Sequence, residues 1–292
     1  MFETAGSMLL AAKRGHYAVG HFNIHNLEFA KAVLETAQEM KSPVILGANE
    51  QQIAYMGGPA AVVGMVGGLI AALPVTVPVV LHLDHGTFEG AKTCANAGFS
   101  SVMFDGSHIP FAENIEKTRE LAELCREKGI SFEAEVGGIG GTVNGVTSAG
   151  ELADPAQCEQ IANLGITMLA CGIGNIHGVY PPDWKGLDFD LLAEINRRVG
   201  EMPLVLHGGS GIPETMIREA IRRGVAKINV STELKLAYAK ELRAYFEAGR
   251  DLDMKNRGFD PLRIEAAGIV GVKEIVRKKI ALFGAEGKAE SY

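Results

Sequence analysis

Residues 203–232 read PLVLHGGSGIPETMIREAIRRGVAKINVST. The apolar run Leu204–His207 predicts a strand and Gly208 to Gly211 a glycine-rich break. Glu214–Arg223 predicts a helix with Pro213 near its start, and Ala226–Asn229 a second strand. A strand, a helix and a strand in so short a stretch make a parallel βαβ unit. The same unit recurs toward the N-terminus. Short β-branched runs predict strands at Tyr17–Asn23, Val44–Gly47, Val79–Leu83, Ser101–Phe104, Ser131–Val136 and Thr167–Ala170. Helical periodicity lies between them. Leu27–Met40 places Ala30, Val33, Leu34 and Ala37 on one face after Asn26 as N-cap. Asn114–Lys128, Ala156–Leu164 and, after the last strand, Thr232–Ala248 read alike. Eight such strands spread over about 230 residues predict an α/β fold closed into a (β/α)8 TIM barrel, not an open doubly wound sheet. Additional N- and C-terminal helices are expected at Ala5–Arg14 and Ile264–Leu282. Barrels of about 250 residues run as one domain, so residues 1–292 are read as a single catalytic domain.

Composition narrows the function classes. Lys plus Arg number 28 and Asp plus Glu 35, so the formal charge is 28 − 35 = −7, which argues against nucleic-acid or anionic-membrane partners. Hydrophobic residues at 47% and charged residues at 22% exclude a disordered chain. The most apolar stretch, Ala60 to Val80, is broken by Gly64, Gly67, Gly68, Pro74 and Pro78, and so is not read as a membrane span. Cys94, Cys125, Cys158 and Cys171 form no CxxC pair and are read as reduced packing thiols of a cytoplasmic enzyme.

The polar residues gather at one place in the repeat. Asn23, Asn49, His82 to His85, Asp105, Glu133, Glu135, His177, His207 and Asn229 all fall at or just beyond the C-terminal ends of strands, the face where barrel enzymes work. His85, His177 and His207 follow three different strands. Three imidazoles with an open position are the pattern of a catalytic zinc site, while hydrogen-bonded structural histidines are the bland alternative. Asp84 directly precedes His85. It suits proton transfer at a metal-bound substrate, or else orients a ligand imidazole. His82, two residues earlier, orients that carboxylate or fills the barrel. Gly208 to Ser210 and Asn229 to Thr232 are the loops after strands 7 and 8, the usual phosphate site in barrels. Ser231 or Thr232 as a plain N-cap is the simpler account of the second loop. Asp105 and Glu135, at the ends of strands 4 and 5, either bind a second cation or pair with Lys227, which shares the inward face with Asn229. An inward lysine also raises Schiff-base chemistry as a rival.

Taken in order, LHLDHG (81–86), GNIHGVY (174–180), LHGGSG (206–211) and INVST (228–232) resemble the zinc-dependent class II ketose-bisphosphate aldolases. HFNIHNLE (21–28), SPVILG (42–47), SSVMFDGSHIPF (100–111) and EAEVG (133–137) extend the similarity along nearly the whole chain. The resemblance implies that Asp84 is the catalytic proton-transfer residue and that His85, His177 and His207 hold Zn2+. Asp105 and Glu135 match a second, divalent or monovalent, cation position. Asn23, Gly178, Gly208, Gly209, Ser210, Asn229, Val230, Ser231 and Thr232 match substrate contacts, the phosphate loops gripping dihydroxyacetone phosphate. The implied partner is a small phosphorylated sugar, and the implied assembly a homodimer or homotetramer. The expected reaction is cleavage or formation of the C3–C4 bond of a fructose- or tagatose-type 1,6-bisphosphate. The alternatives are a ketose 1-phosphate lacking the distal phosphate and a non-catalytic sugar-phosphate-binding barrel.

Three places depart from the family pattern. Thr142-Val143-Asn144 replaces an acidic pair, leaving the second acid/base group unassigned. Pro181 stands where bisphosphate enzymes often carry Lys. Asp260-Pro261-Leu262-Arg263 lacks the family's distal-phosphate arginine, with Arg257 or Arg263 as substitutes. The sequence leaves C4 stereochemistry, the need for a C6 phosphate and subunit number open.

Overall fold

Apolar runs bounded by glycine and polar caps give eight parallel strands: β1 (Val19–Asn23), β2 (Val44–Ala48), β3 (Val79–Gly86), β4 (Ser101–Phe104), β5 (Ser131–Val136), β6 (Met168–Cys171), β7 (Leu204–Leu206) and β8 (Val225–Val230). They pair in sequence order, and β8 closes on β1, completing the barrel. Every strand residue is buried, as expected when helices cover a parallel sheet from outside. The computed structural model describes residues 2–143, 146–148 and 150–291, so Asn144 lies outside the described residues. Between β5 and β6 an antiparallel hairpin pairs Gly141–Val143 with Val146–Ser148.

The expected helices are present within a few residues of their predicted ends. Asn26 caps the helix Leu27–Glu39 by accepting from Phe29 N at 3.0 Å. The C-terminal helix runs Pro261–Phe283, capped by Asp260. Sequence reading omitted helices Glu50–Tyr55, Pro59–Ala72, Phe88–Ala97 and Phe189–Val199. Gly64, Gly67 and Gly68 each weaken helix propensity, yet Pro59 at N1 and the buried Val62 and Val66 hold the second of these together. Among the described residues no helix is long and apolar enough to cross a membrane.

One irregularity shapes the site. β3 was expected to end at Leu83, but it continues to Gly86 with one extra residue against β4: Leu83 pairs Val102 and Gly86 pairs Phe104. His85 sits at φ +46 inside this bulge, a costly conformation for a residue with a Cβ. Its N–H turns to Met103 Sδ at 3.4 Å instead of a ladder carbonyl. The bulge breaks strand alternation, so consecutive Asp84 and His85 both line the mouth.

Gly86 is what lets β4 approach. A Cβ there would lie 2.5 Å from Met103 O and press on Leu83 Cδ2. Overpacking typically costs about 1–3 kcal/mol, and a domain this size loses roughly 2–4 °C per kcal/mol. Gly86→Ala should therefore lower the thermal midpoint by roughly 2–12 °C. A wild-type midpoint by calorimetry would show that β3 and β4 slide freely here.

Candidate active site

The C-terminal ends of the strands open into a cavity of about 390 Å³. Its walls include Asn23, Asn49, Asp84, His85, His177, Gly178, His207, Gly208, Ser210, Asn229, Ser231 and Thr232. Most of the sequence-predicted residues thus converge. Gly209 and Val230 do not line the cavity. Gly209 N–H is spent on Asn229 O at 2.8 Å, and Val230 is fully buried.

Asp84 is 6% exposed, and both its oxygens are occupied. Asn23 Nδ2 donates to Oδ2 at 2.9 Å, and Asn229 Nδ2 donates to Oδ1 at 3.0 Å. Burial disfavours its charge, but the positive charges of His85 and Lys227 outweigh that and hold the carboxyl well below its usual range. Asp84 is therefore an ionised acceptor whose orientation is set by two amides. His82 does not orient it, contrary to one sequence expectation: its Nδ1 lies 2.8 Å from Ser101 Oγ, and its Nε2 faces Lys227 and Glu133.

The three histidines offer ring nitrogens that all lie within 4.8 Å of one another. His85 Nδ1 bonds Asp105 Oδ2 at 3.0 Å, so Nε2 points into the site. Burial opposes protonation of His85, but the Asp105 hydrogen bond and the charges of Asp84, Glu135 and Asp105 raise its pKa to about 10. His177 Nε2 faces His85 Nε2 at 3.0 Å, and its own Nδ1 has no hydrogen-bond partner. His207 Nε2 bonds Glu133 Oε1 at 2.8 Å, and Nδ1 lies 3.2 Å from Asn229 Nδ2, on the mouth side. Burial first, then the neighbouring His85, pushes the pKa of His177 and His207 down, the neutral state a metal ligand needs. Two imidazole nitrogens facing each other, with a third beside them, fit a divalent cation by number and type of donor.

Asp105 and Glu135 sit behind His85, outside the cavity lining. Asp105 Oδ1 also accepts from Ser107 N at 3.1 Å and Ser107 Oγ at 2.6 Å. Glu135 Oε2 is buried without a hydrogen-bond partner, and burial followed by the Asp105 charge raises its pKa well above the usual value. Lys227 pairs with neither. Its Nζ meets Glu133 Oε2 at 2.6 Å within the barrel interior, in a pair with no solvent exposure. A lysine so enclosed has no path to a carbonyl substrate, which removes the Schiff-base rival.

The phosphate loops rest on close backbone approach. A Cβ on Gly208, at φ +68, would strike Ile176 O. Tyr180 Oη ties the two loops together, donating to Gly208 O at 2.9 Å and accepting from Ile176 N at 3.1 Å. Ser231 occupies the N-cap of Thr232–Glu247 but makes no side-chain cap bond, so the N-cap account of that loop fails. Ser210 Oγ accepts from Glu233 N at 3.1 Å instead.

The sequence reading missed His25, Gln51, Gln52 and Lys235, which complete the wall on the β1, β2 and β8 sides. Their position just past strand ends was the available signal. Of the distal-phosphate substitutes, Arg257 pairs with Asp260 at 2.9 Å and Arg263 lines a separate surface hollow, while Leu262 is 79% exposed. Neither arginine lines the mouth; Lys235 does.

The chain is similar to known proteins over nearly its whole length. Residues 3–288 match the family described as "Fructose-bisphosphate aldolase class-II". A protein named fructose-bisphosphate aldolase from Mycoplasma pneumoniae is 50% identical over 289 residues, covering 99% of this chain and 100% of that protein. One of the same name from Streptococcus pneumoniae serotype 4 is 43% identical over 98% of this chain and 99% of its own length. The crystal structure of the YdjI aldolase from Escherichia coli K12 superposes with a TM-score of 0.82 at 32% identity, covering 99% of this chain and 100% of that one.

Proposed function

We infer that the mouth cleaves and forms the C3–C4 bond of ketose 1,6-bisphosphates, because the chain belongs to the class-II fructose-bisphosphate aldolase family. It is therefore an aldolase, a carbon–carbon lyase. The observation that carries the site-level reading is the facing of His85 and His177 at 3.0 Å beside an ionised, doubly held Asp84. The metal is zinc, held by His85, His177 and His207, a donor set of imidazoles with an open position. Bound there, zinc would supply Lewis-acid polarisation of the substrate's C2 carbonyl.

This chain's own residues perform the rest. Asp84 takes the C4 hydroxyl proton as the C3–C4 bond breaks. The bonding electrons stay at C3 of the ketose half, C4 leaves as an aldehyde such as glyceraldehyde 3-phosphate, and C3 then takes up one proton, in net balance with the one removed from the C4 hydroxyl, to give dihydroxyacetone phosphate. Asn23 and Asn229 keep Asp84 aimed while it changes charge. Gly178, Gly208, Ser210, Asn229, Ser231 and Thr232 hold the C1 phosphate, and Gly209 and Val230 shape the loops behind them. Asp105 and Glu135 are the second-cation position, supported by a Glu135 Oε2 that is buried without a hydrogen bond.

The chain works as one domain in a cytoplasmic homodimer or homotetramer. The exposed Leu236, Leu252, Met254, Phe259, Leu262 and Val270 on the C-terminal segments support a subunit contact.

Two outcomes test the reading. Asp84→Ala should still bind zinc and dihydroxyacetone phosphate by calorimetry while turnover falls ~10²–10⁴-fold, the usual share of a general acid/base. Loss of zinc from that variant would make Asp84 a ligand or a scaffold instead. Specificity gives the second. Among the described residues Lys235 is the one Lys or Arg lining the mouth, and it is exposed. Removing the C6 phosphate should therefore lower kcat/KM by less than about 100-fold, or ~2.7 kcal/mol, and removing the C1 phosphate should cost far more. An inert 1-phosphate beside a fast bisphosphate, in either C4 configuration, would contradict this.

A further inference from the structure

Beneath the mouth, the barrel interior holds a row of charged and polar groups where such barrels usually pack branched aliphatic side chains. Ser101, His82, Lys227, Glu133 and His207 are all 0% exposed. Their contacts run in one direction. Lys227 Nζ donates to Glu133 Oε2 at 2.6 Å and lies 3.4 Å from His82 Nε2. Glu133 spends its other oxygen, Oε1, on His207 Nε2 at 2.8 Å. The chain then continues upward. His207 Nδ1 meets Asn229 Nδ2 at 3.2 Å, and the same amide donates to Asp84 at 3.0 Å.

An ionised carboxylate only accepts hydrogen bonds. His207 must therefore carry its hydrogen on Nε2, leaving the Nδ1 lone pair toward the mouth. A buried ion pair is poor evidence of stability, since apolar residues of similar volume often do as well. Position is what this pair provides. Lys227 holds Glu133 in place from β8, and Glu133 holds the His207 ring from β5.

We propose that Glu133, anchored by Lys227, is a positioning residue that fixes the tautomer and ring plane of His207, so that Nδ1 is the atom presented to the divalent cation. The proposal rests on the metal site described above. Carboxylate partners of metal-bound histidines typically change metal affinity by about 10–100-fold.

The test uses the full-length protein and zinc alone as the probe. Glu133→Leu with Lys227→Met removes both charges together, so no buried ion is stranded. Glu133→Gln with Lys227→Met removes the charges but keeps an oxygen acceptor for Nε2–H. Zinc affinity is read by chelator competition, and the His207 tautomer by nitrogen-15 NMR of metal-free protein. Metal-free wild type should show the Nε2–H tautomer. The Leu/Met protein should lose about 10–100-fold in zinc affinity and mix its tautomers, with thermal unfolding still cooperative. The Gln/Met protein should regain most of both. An Nδ1–H tautomer in metal-free wild type would overturn the proposal even if the Leu/Met protein failed to fold. So would a Leu/Met protein that binds zinc as tightly as wild type, or a Gln/Met protein as weak as Leu/Met. Wild type that binds no zinc at all would instead sink the metal site itself.

Discussion

His85 Nε2 and His177 Nε2 face each other at 3.0 Å, with His207 Nδ1 on the same side of the barrel mouth. A proton on His85 or a cation between the rings joins these two nitrogens, since their lone pairs alone would repel. Holding that geometry constrains the surrounding backbone. His85 reaches the site only because β3 carries an extra residue and accepts φ +46 there. Asp105 takes the far nitrogen of that ring, and Glu133 takes the far nitrogen of His207. Tyr180 and Gly208 bring the loop bearing His177 against the loop bearing His207. The strain and the buried charges are explicable at this face and would be liabilities anywhere else in the fold.

The electrostatics divide the ionisable groups by task. Asp84 and Asp105 stay charged because cationic or hydrogen-bonding partners outweigh their burial. Glu135, buried beside Asp105 with no hydrogen bond to Oε2, has its pKa raised well above the usual value. His21 lies deeper, its pKa pushed down to about 3 by burial and Lys227, so it stays neutral under Asp84. The same barrel thus keeps one carboxylate ready to accept a proton and two imidazoles neutral enough to bind a cation.

Much of this was legible in the sequence, and the reasons differ by level. Strand and helix periods are local, so all eight strands and the main helices could be read to within a few residues. The mouth residues could be placed because barrel strand ends converge whatever their side chains. That Asp84 and His85 both reach the site was expected from a turn after the strand; the bulge within a continuing β3 could not be read, because nothing local marks the extra residue. Helix Pro59–Ala72 was hidden by its glycines. Lys227 was expected beside Asp105 or Glu135. Its true partner, Glu133, is set by the register and closure of the barrel, which no local pattern encodes. Lys235 was overlooked because a lone lysine one turn into a helix looks like ordinary surface.

The central claim is that three imidazoles from β3 and the loops after β6 and β7 hold one zinc ion beside Asp84. Crystals grown with zinc and measured on both sides of its absorption edge test this most directly. The account predicts an anomalous peak about 2.0–2.1 Å from His85 Nε2, His177 Nε2 and His207 Nδ1, with Asp84 outside bonding distance. A peak held only by Asp105 and Glu135, or none at the mouth, would contradict it.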